Sequence, residues 1–140
     1  MSDNAEYDDL VNQKENAQSQ YRSCESRIED CDYLLRRLRS SKEDIAELKE
    51  AFKENKKRDK NLRDEKREWC GSTYDDFCSK MSNLIETNNT YYKKSIDYIL
   101  DSINDEITHI ENKRLKEYGL LGQLGSWINS LTNEIENFFN

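Results

Sequence analysis

Apolar or thiol-bearing residues at Tyr21, Cys24, Ile28, Cys31, Leu35 and Leu38 follow a 3-4-3-4-3 spacing. That spacing sets all six on one stripe of an α-helix, the pattern of a coiled-coil heptad. The stripe extends back through Ala17 and Tyr7 and forward through Ile45, Leu48 and Phe52, with Lys14 and Lys42 as interruptions. A second stripe runs through Ile85, Tyr92, Ile96, Ile99, Ile103, Ile107 and Ile110. Past Arg114 and Glu117, which break it, the stripe resumes at Leu121, Leu124, Ile128, Leu131, Ile135 and Phe138. Because the register survives Gly119, Gly122 and Gly125, one helix is expected there, and the glycines leave either a straight arm or one bent near Gly119.

Composition allows little besides helices. The 140 residues include no proline and four glycines, so the punctuation that strands and tight turns require is missing. With 34% hydrophobic and 36% charged residues, whatever is buried must lie in a thin seam. A net charge of −7 argues against nucleic acid as a partner. No apolar run approaches the roughly 20 residues needed to span a bilayer, so membrane insertion is not expected and the chain should be made as a soluble cytoplasmic protein. One segment departs from the acidic balance: residues 53–67 carry eight basic and four acidic side chains, with Leu62 as the sole large apolar group. It suits a solvated face or a basic docking face, and its interspersed acids make it a poor membrane-surface helix.

Catalytic and metal chemistry find no footing. His109 is the single histidine, no C-x-x-C pair is present, and the carboxylates occupy positions where solvation or i to i+4 pairing accounts for them. No enzyme activity, cofactor or metal is expected. Cys24 and Cys31 lie seven residues apart on one predicted helix, roughly 10 Å by helical rise, too far to bridge. Reduced thiols are expected.

Between the stripes, Trp69-Cys70-Gly71 is followed by Ser72 and Asp75. Gly71 suits the left-handed residue that ends a helix, Lys66 and Arg67 suit its negative end, and Ser72 with Asp75 forms a capping-box pattern for a new one. The expected fold is therefore all-α: a long antiparallel two-helix hairpin, coiled-coil-like, forming a single domain over 1–140. Its first arm covers about 3–68, its turn 69–72 and its second arm about 73–139. Arms of that size could pair over about 90 to 100 Å.

Trp69-Cys70-Gly71 in this setting resembles the Trp-X-Gly hairpin of small helical proteins exported by the type VII secretion systems of Gram-positive bacteria. Phe77 follows Gly71 by six residues. The run Tyr118-Gly119-Leu120-Leu121-Gly122-Gln123-Leu124, continuing to Ile128 and Leu131, resembles the C-terminal half of YwqH-like proteins. The likeness covers residues 66–140, and the first arm matches only in helical character. It implies a type VII secretion accessory protein that binds the helical N-terminal targeting domain of an LXG-type toxin and presents it for export, with room for a second small helical companion. In this family pattern Tyr-x-x-x-Asp or Glu, the export signal, follows the second helix. Here the match is Tyr21 to Glu25 on the first stripe, which reads as seam, so whether the chain is exported with its partner is left open.

A two-helix seam leaves much of each helix uncovered, which independently points to further helices from a partner. Leu120, Trp127, Phe139, Tyr91 and Tyr98 lie off the main stripe. The expected partner-binding residues are Leu120, Leu124, Trp127, Leu131 and Phe139, with Trp127 as anchor. A charge placed at Leu124 or Trp127 is expected to abolish binding and leave the chain helical. Trp69 and Gly71 form the turn motif, the indole capping the seam. The competing reading is a generic coiled-coil scaffold that self-associates and has no link to secretion.

Overall fold

A computed structural model describes the backbone of residues 2–65 and 72–140, and the side chains of 3–61 and 75–140. Two helices account for nearly all of it: α1, Ser2–Glu65, and α2, Ser72–Asn137. They pack against each other as an all-α hairpin, as the two stripes predict. The turn motif, Trp69 and Gly71, lies outside the described residues. So does the Ser72 side chain.

α2 passes through Gly119, Gly122 and Gly125 without a break. A helix interior tolerates glycine at a cost of about 1 kcal/mol relative to alanine, and the apolar stripe on either side outweighs it. Beyond Asn137 the chain tightens: Phe138 N–H donates to Ile135 O at 3.4 Å and Asn140 N–H to Asn137 O at 3.1 Å, satisfying carbonyls that the helix itself cannot. Among the described residues no helix is long and apolar enough to cross a membrane.

The hairpin divides into two compact units, each drawn from both helices. Unit 1 comprises Met1–Arg37 and Ile107–Asn140, and unit 2 comprises Leu38–Glu106. In unit 1 the buried residues are Ala17, Cys24, Ile28, Cys31 and Leu35 from α1 and Ile110, Leu124 and Leu131 from α2. Cys24, Ile28 and Leu124 form one cluster, flanked by Tyr21 and Leu121. Burying a side chain of this size contributes about 1.5–3 kcal/mol. Unit 2 buries only Ile85 and Ile96 among its described residues.

Three stripe positions differ from expectation. Continued strictly from Cys24, Ile28, Cys31, Leu35 and Leu38, the α1 heptad falls on Ile45, Lys49 and Phe52, so Leu48 stands beside the seam and is more than half exposed. In α2, Leu100 takes the inward position between Ile96 and Ile103, and Ile99 is turned outward. Tyr92 keeps its register but is about half exposed, its ring resting on Phe52 with ring centroids 5.1 Å apart.

Candidate partner-binding surfaces

In unit 1 the two charged breaks in the α2 stripe meet partners on α1. Arg27 Nε lies 3.0 Å from Glu117 Oε1, and Arg114 Nε lies 2.7 Å from Asp32 Oδ1. The second pair is ionic in character, because the buried Arg114 N–H is not aimed to form a hydrogen bond. Cys24 completes the layer, its thiol donating to the Glu117 main-chain carbonyl at 3.1 Å and to its carboxylate at 3.2 Å. Burial, and then the adjacent Glu117, push the Cys24 thiol above its ordinary pKa. The thiol hydrogen bond and, beyond it, the Arg27 guanidinium hold the Glu117 carboxyl below its own. The layer therefore holds a protonated thiol and an ionised carboxylate at neutral pH, and only one alignment of the arms brings these groups together. Cys24, Cys31 and Cys78 are free thiols, and Cys70 lies outside the described residues.

The sequence-derived binding residues separate into two sets. Leu124 and Leu131 are 6% and 3% exposed, facing α1 within the seam. They hold the hairpin together and present nothing to a partner, which corrects their assignment as binding residues. The physical reason is their heptad position, shared with Leu121 and Ile128. Leu120 and Trp127 are 39% and 41% exposed. Seven residues apart on α2, they stand on one flank of the filled seam. Phe139 is exposed at the end of unit 1, where it packs edge-on against Phe138 and lies near Tyr7, with ring centroids 4.9 and 5.3 Å apart.

The glycines of α2 are not demanded by packing inside the chain. A Cβ at Gly119 or Gly122 would meet nothing within 4 Å, and one at Gly125 would make an ordinary 3.7 Å contact with the Tyr21 ring. Gly125 instead forms part of a shallow groove with Gln18, Tyr21, Arg22 and Ile128.

Unit 2 carries its own exposed features. Leu84, Tyr91 and Tyr98, seven residues apart on α2, are all more than half exposed. On the other face of α2 a groove of about 360 Å³ has Phe52 and Ile96 among its lining, with lysines from both helices. The sequence reading singled out the basic run after Phe52 and missed this juxtaposition. Its signal was available on α1 as lysines at 49, 53, 56 and 60, a 4-3-4 spacing that runs along one face. Lys93, contributed by α2, could be placed there only by the fold.

A family model described as YwqH-like matches residues 12–133. The match takes in most of the first arm, whereas the motifs that carry the resemblance begin only at residue 66. Neither a curated protein nor a solved structure gives a significant match.

Proposed function

The chain belongs to the YwqH-like family, and on that premise we propose that it is a non-catalytic type VII secretion accessory protein. It binds the helical N-terminal targeting domain of an LXG-type toxin, in company with a second small helical subunit where one is present, and helps present the toxin for export. The observation that carries this reading is the pair Leu120 and Trp127. Both remain about 40% exposed although the seam beside them is already filled by Leu121, Leu124 and Ile128. Tryptophan next to a rigid helical seam is the kind of anchor that dominates binding energy when a partner covers it, and a two-helix hairpin accepts a further helix as a bundle does. The adaptor is made in the cytoplasm, where it meets its partner before export.

The test is co-purification of the full chain with the N-terminal domain of an LXG-type protein encoded beside it, the mass read by light scattering. A hetero-complex that Trp127→Glu weakens by about tenfold or more supports the reading, since truncation of an interface anchor costs at least that much. A complex indifferent to both Trp127→Glu and Leu120→Glu moves the interface elsewhere. A self-paired dimer with no hetero-complex replaces this reading with the self-associating scaffold.

A further inference from the structure

The lysine-lined groove of unit 2 is built from residues that the binding role above does not use. Lys49, Lys53, Lys56 and Lys60 occupy successive turns of α1, spanning about 16 Å of helix. Lys93 faces them from α2, and Phe52 and Ile96 supply an apolar floor. Two of these ammonium groups are already matched: Lys49 donates to Asp97 at 2.9 Å and Lys53 to Glu50 at 3.2 Å. Among the described residues, Lys56, Lys57, Lys60 and Lys93 form no ion pair. Like charges one helical turn apart repel each other. In a chain of net charge −7 a concentration of this sign is not a by-product of composition.

We propose that this groove docks an acidic amphipathic helix of a partner protein. An apolar side chain of that helix sits over Phe52 and Ile96, and carboxylates one turn to either side reach Lys56, Lys60 and Lys93. The 4-3-4 lysine spacing is the complement of a helix with acids at the same spacing, because both repeat along one helical face. The apolar floor favours this occupant over a free phosphate, which has no use for it. Glu50 and Glu54 on α1 and Glu86 and Asp97 on α2 oppose an extended lattice of phosphates, whereas a single helix meets only the lysines and the apolar floor between them. The inference rests on the binding role proposed above for the identity of the partner, and adds the chemistry by which unit 2 would recognise it.

A synthetic helical peptide about three heptads long, with glutamates flanking a leucine stripe, is titrated against the full chain and followed by fluorescence anisotropy. The control peptide has lysine in place of glutamate, and phosphatidylglycerol vesicles form a third arm. The acidic peptide is expected to bind and the lysine peptide not to. Raising NaCl from about 0.05 to about 0.5 M should weaken binding severalfold by screening. Lys56→Glu with Lys60→Glu should cut affinity by about tenfold or more, while Lys56→Arg with Lys60→Arg keeps it. Both pairs are checked for unchanged helicity by circular dichroism. Equal binding of the two peptides, indifference to the charge reversal, or binding of vesicles without the acidic peptide would overturn the proposal. The toxin-domain complex separates the two ideas. A complex that survives the double charge reversal unchanged but fails with Trp127→Glu removes this inference and keeps the adaptor reading. Acidic-peptide binding with no toxin-domain complex does the opposite.

Discussion

Units 1 and 2 are cut from the same two helices and follow the same heptad, yet they handle polar residues in the seam differently. In unit 1 the two charged breaks of the α2 stripe are matched: Glu117 receives Arg27 and the Cys24 thiol, and Arg114 faces Asp32. Apolar residues close tightly on either side of that layer. In unit 2 Lys49 is matched by Asp97, but the stripe position between Ile85 and Tyr92 is Asn88, and around it an opening of about 620 Å³ is lined by Leu48, Phe52, Ile85 and Tyr92. A polar seam residue with a dedicated partner fixes alignment and costs little packing. Without one it leaves apolar walls apart, and the surface so left is available to another molecule.

The largest effect expected is from Leu124→Glu, which would bury an unpaired carboxylate among Cys24, Ile28 and Leu121, at a cost of several kcal/mol. Cooperative thermal unfolding of unit 1, read by circular dichroism and by hydrogen exchange of residues 107–137, should be lost. A variant that melts like the native chain would mean that Leu124 is not a seam residue. Next come the matched truncations Leu35→Ala and Ile85→Ala. The first should cost about 2–5 kcal/mol in urea denaturation and the second a value at or below the low end of that range, because the opening in unit 2 already lacks close contacts. Equal losses would erase the distinction between the units. Asn88→Leu should stabilise unit 2 by about 1 kcal/mol, the gain from placing extra apolar area in its open seam. No gain, or a loss, would indicate that Asn88 has a polar role there.

The smallest effect concerns pH and belongs to unit 1 alone. Glu117 is held below the ordinary value of 4.5, so its charged form contributes stability above that value and loses it as pH falls through the lowered pKa. Cys24 is held above 9.0, so its protonated form contributes below that value and loses it as pH rises through the raised pKa. Glu117→Gln should flatten the acid limb of a stability profile and Cys24→Ala the alkaline limb. Limbs that persist in both variants would remove the polar layer as their source.

The helices and most of the seam were readable from the spacing of apolar residues, because a repeat of 3.5 positions has one structural meaning over this length. Leu48 and Ile99 were misplaced because each is an apolar residue one step from a polar or equally apolar neighbour that keeps the heptad better, Lys49 and Leu100. A hydrophobicity pattern rewards the wrong member of such a pair. The exposed flank of the seam was half visible: Trp127 and Leu120 stood out as residues off the stripe, whereas Leu124 and Leu131 were assigned at once to the seam and to a partner, and the structure buries both in the seam. The lysine groove stayed hidden because its two walls lie about 40 residues apart along the chain, as Lys53 and Lys93 illustrate.

The polar layer also has a consequence in time. Cys24 and Glu117 are separated by 93 residues, whereas Lys49 and Asp97 are separated by 48. Closing the longer loop first would cost about 0.6 kcal/mol more in chain entropy, and contacts between nearer residues generally form sooner. On the ribosome the order is the same, since residues up to Glu106 emerge before Arg114 and Glu117, the partners of Asp32, Arg27 and Cys24. The loosely packed half is thus the first that can close, and the tightly packed half is the lock that follows it.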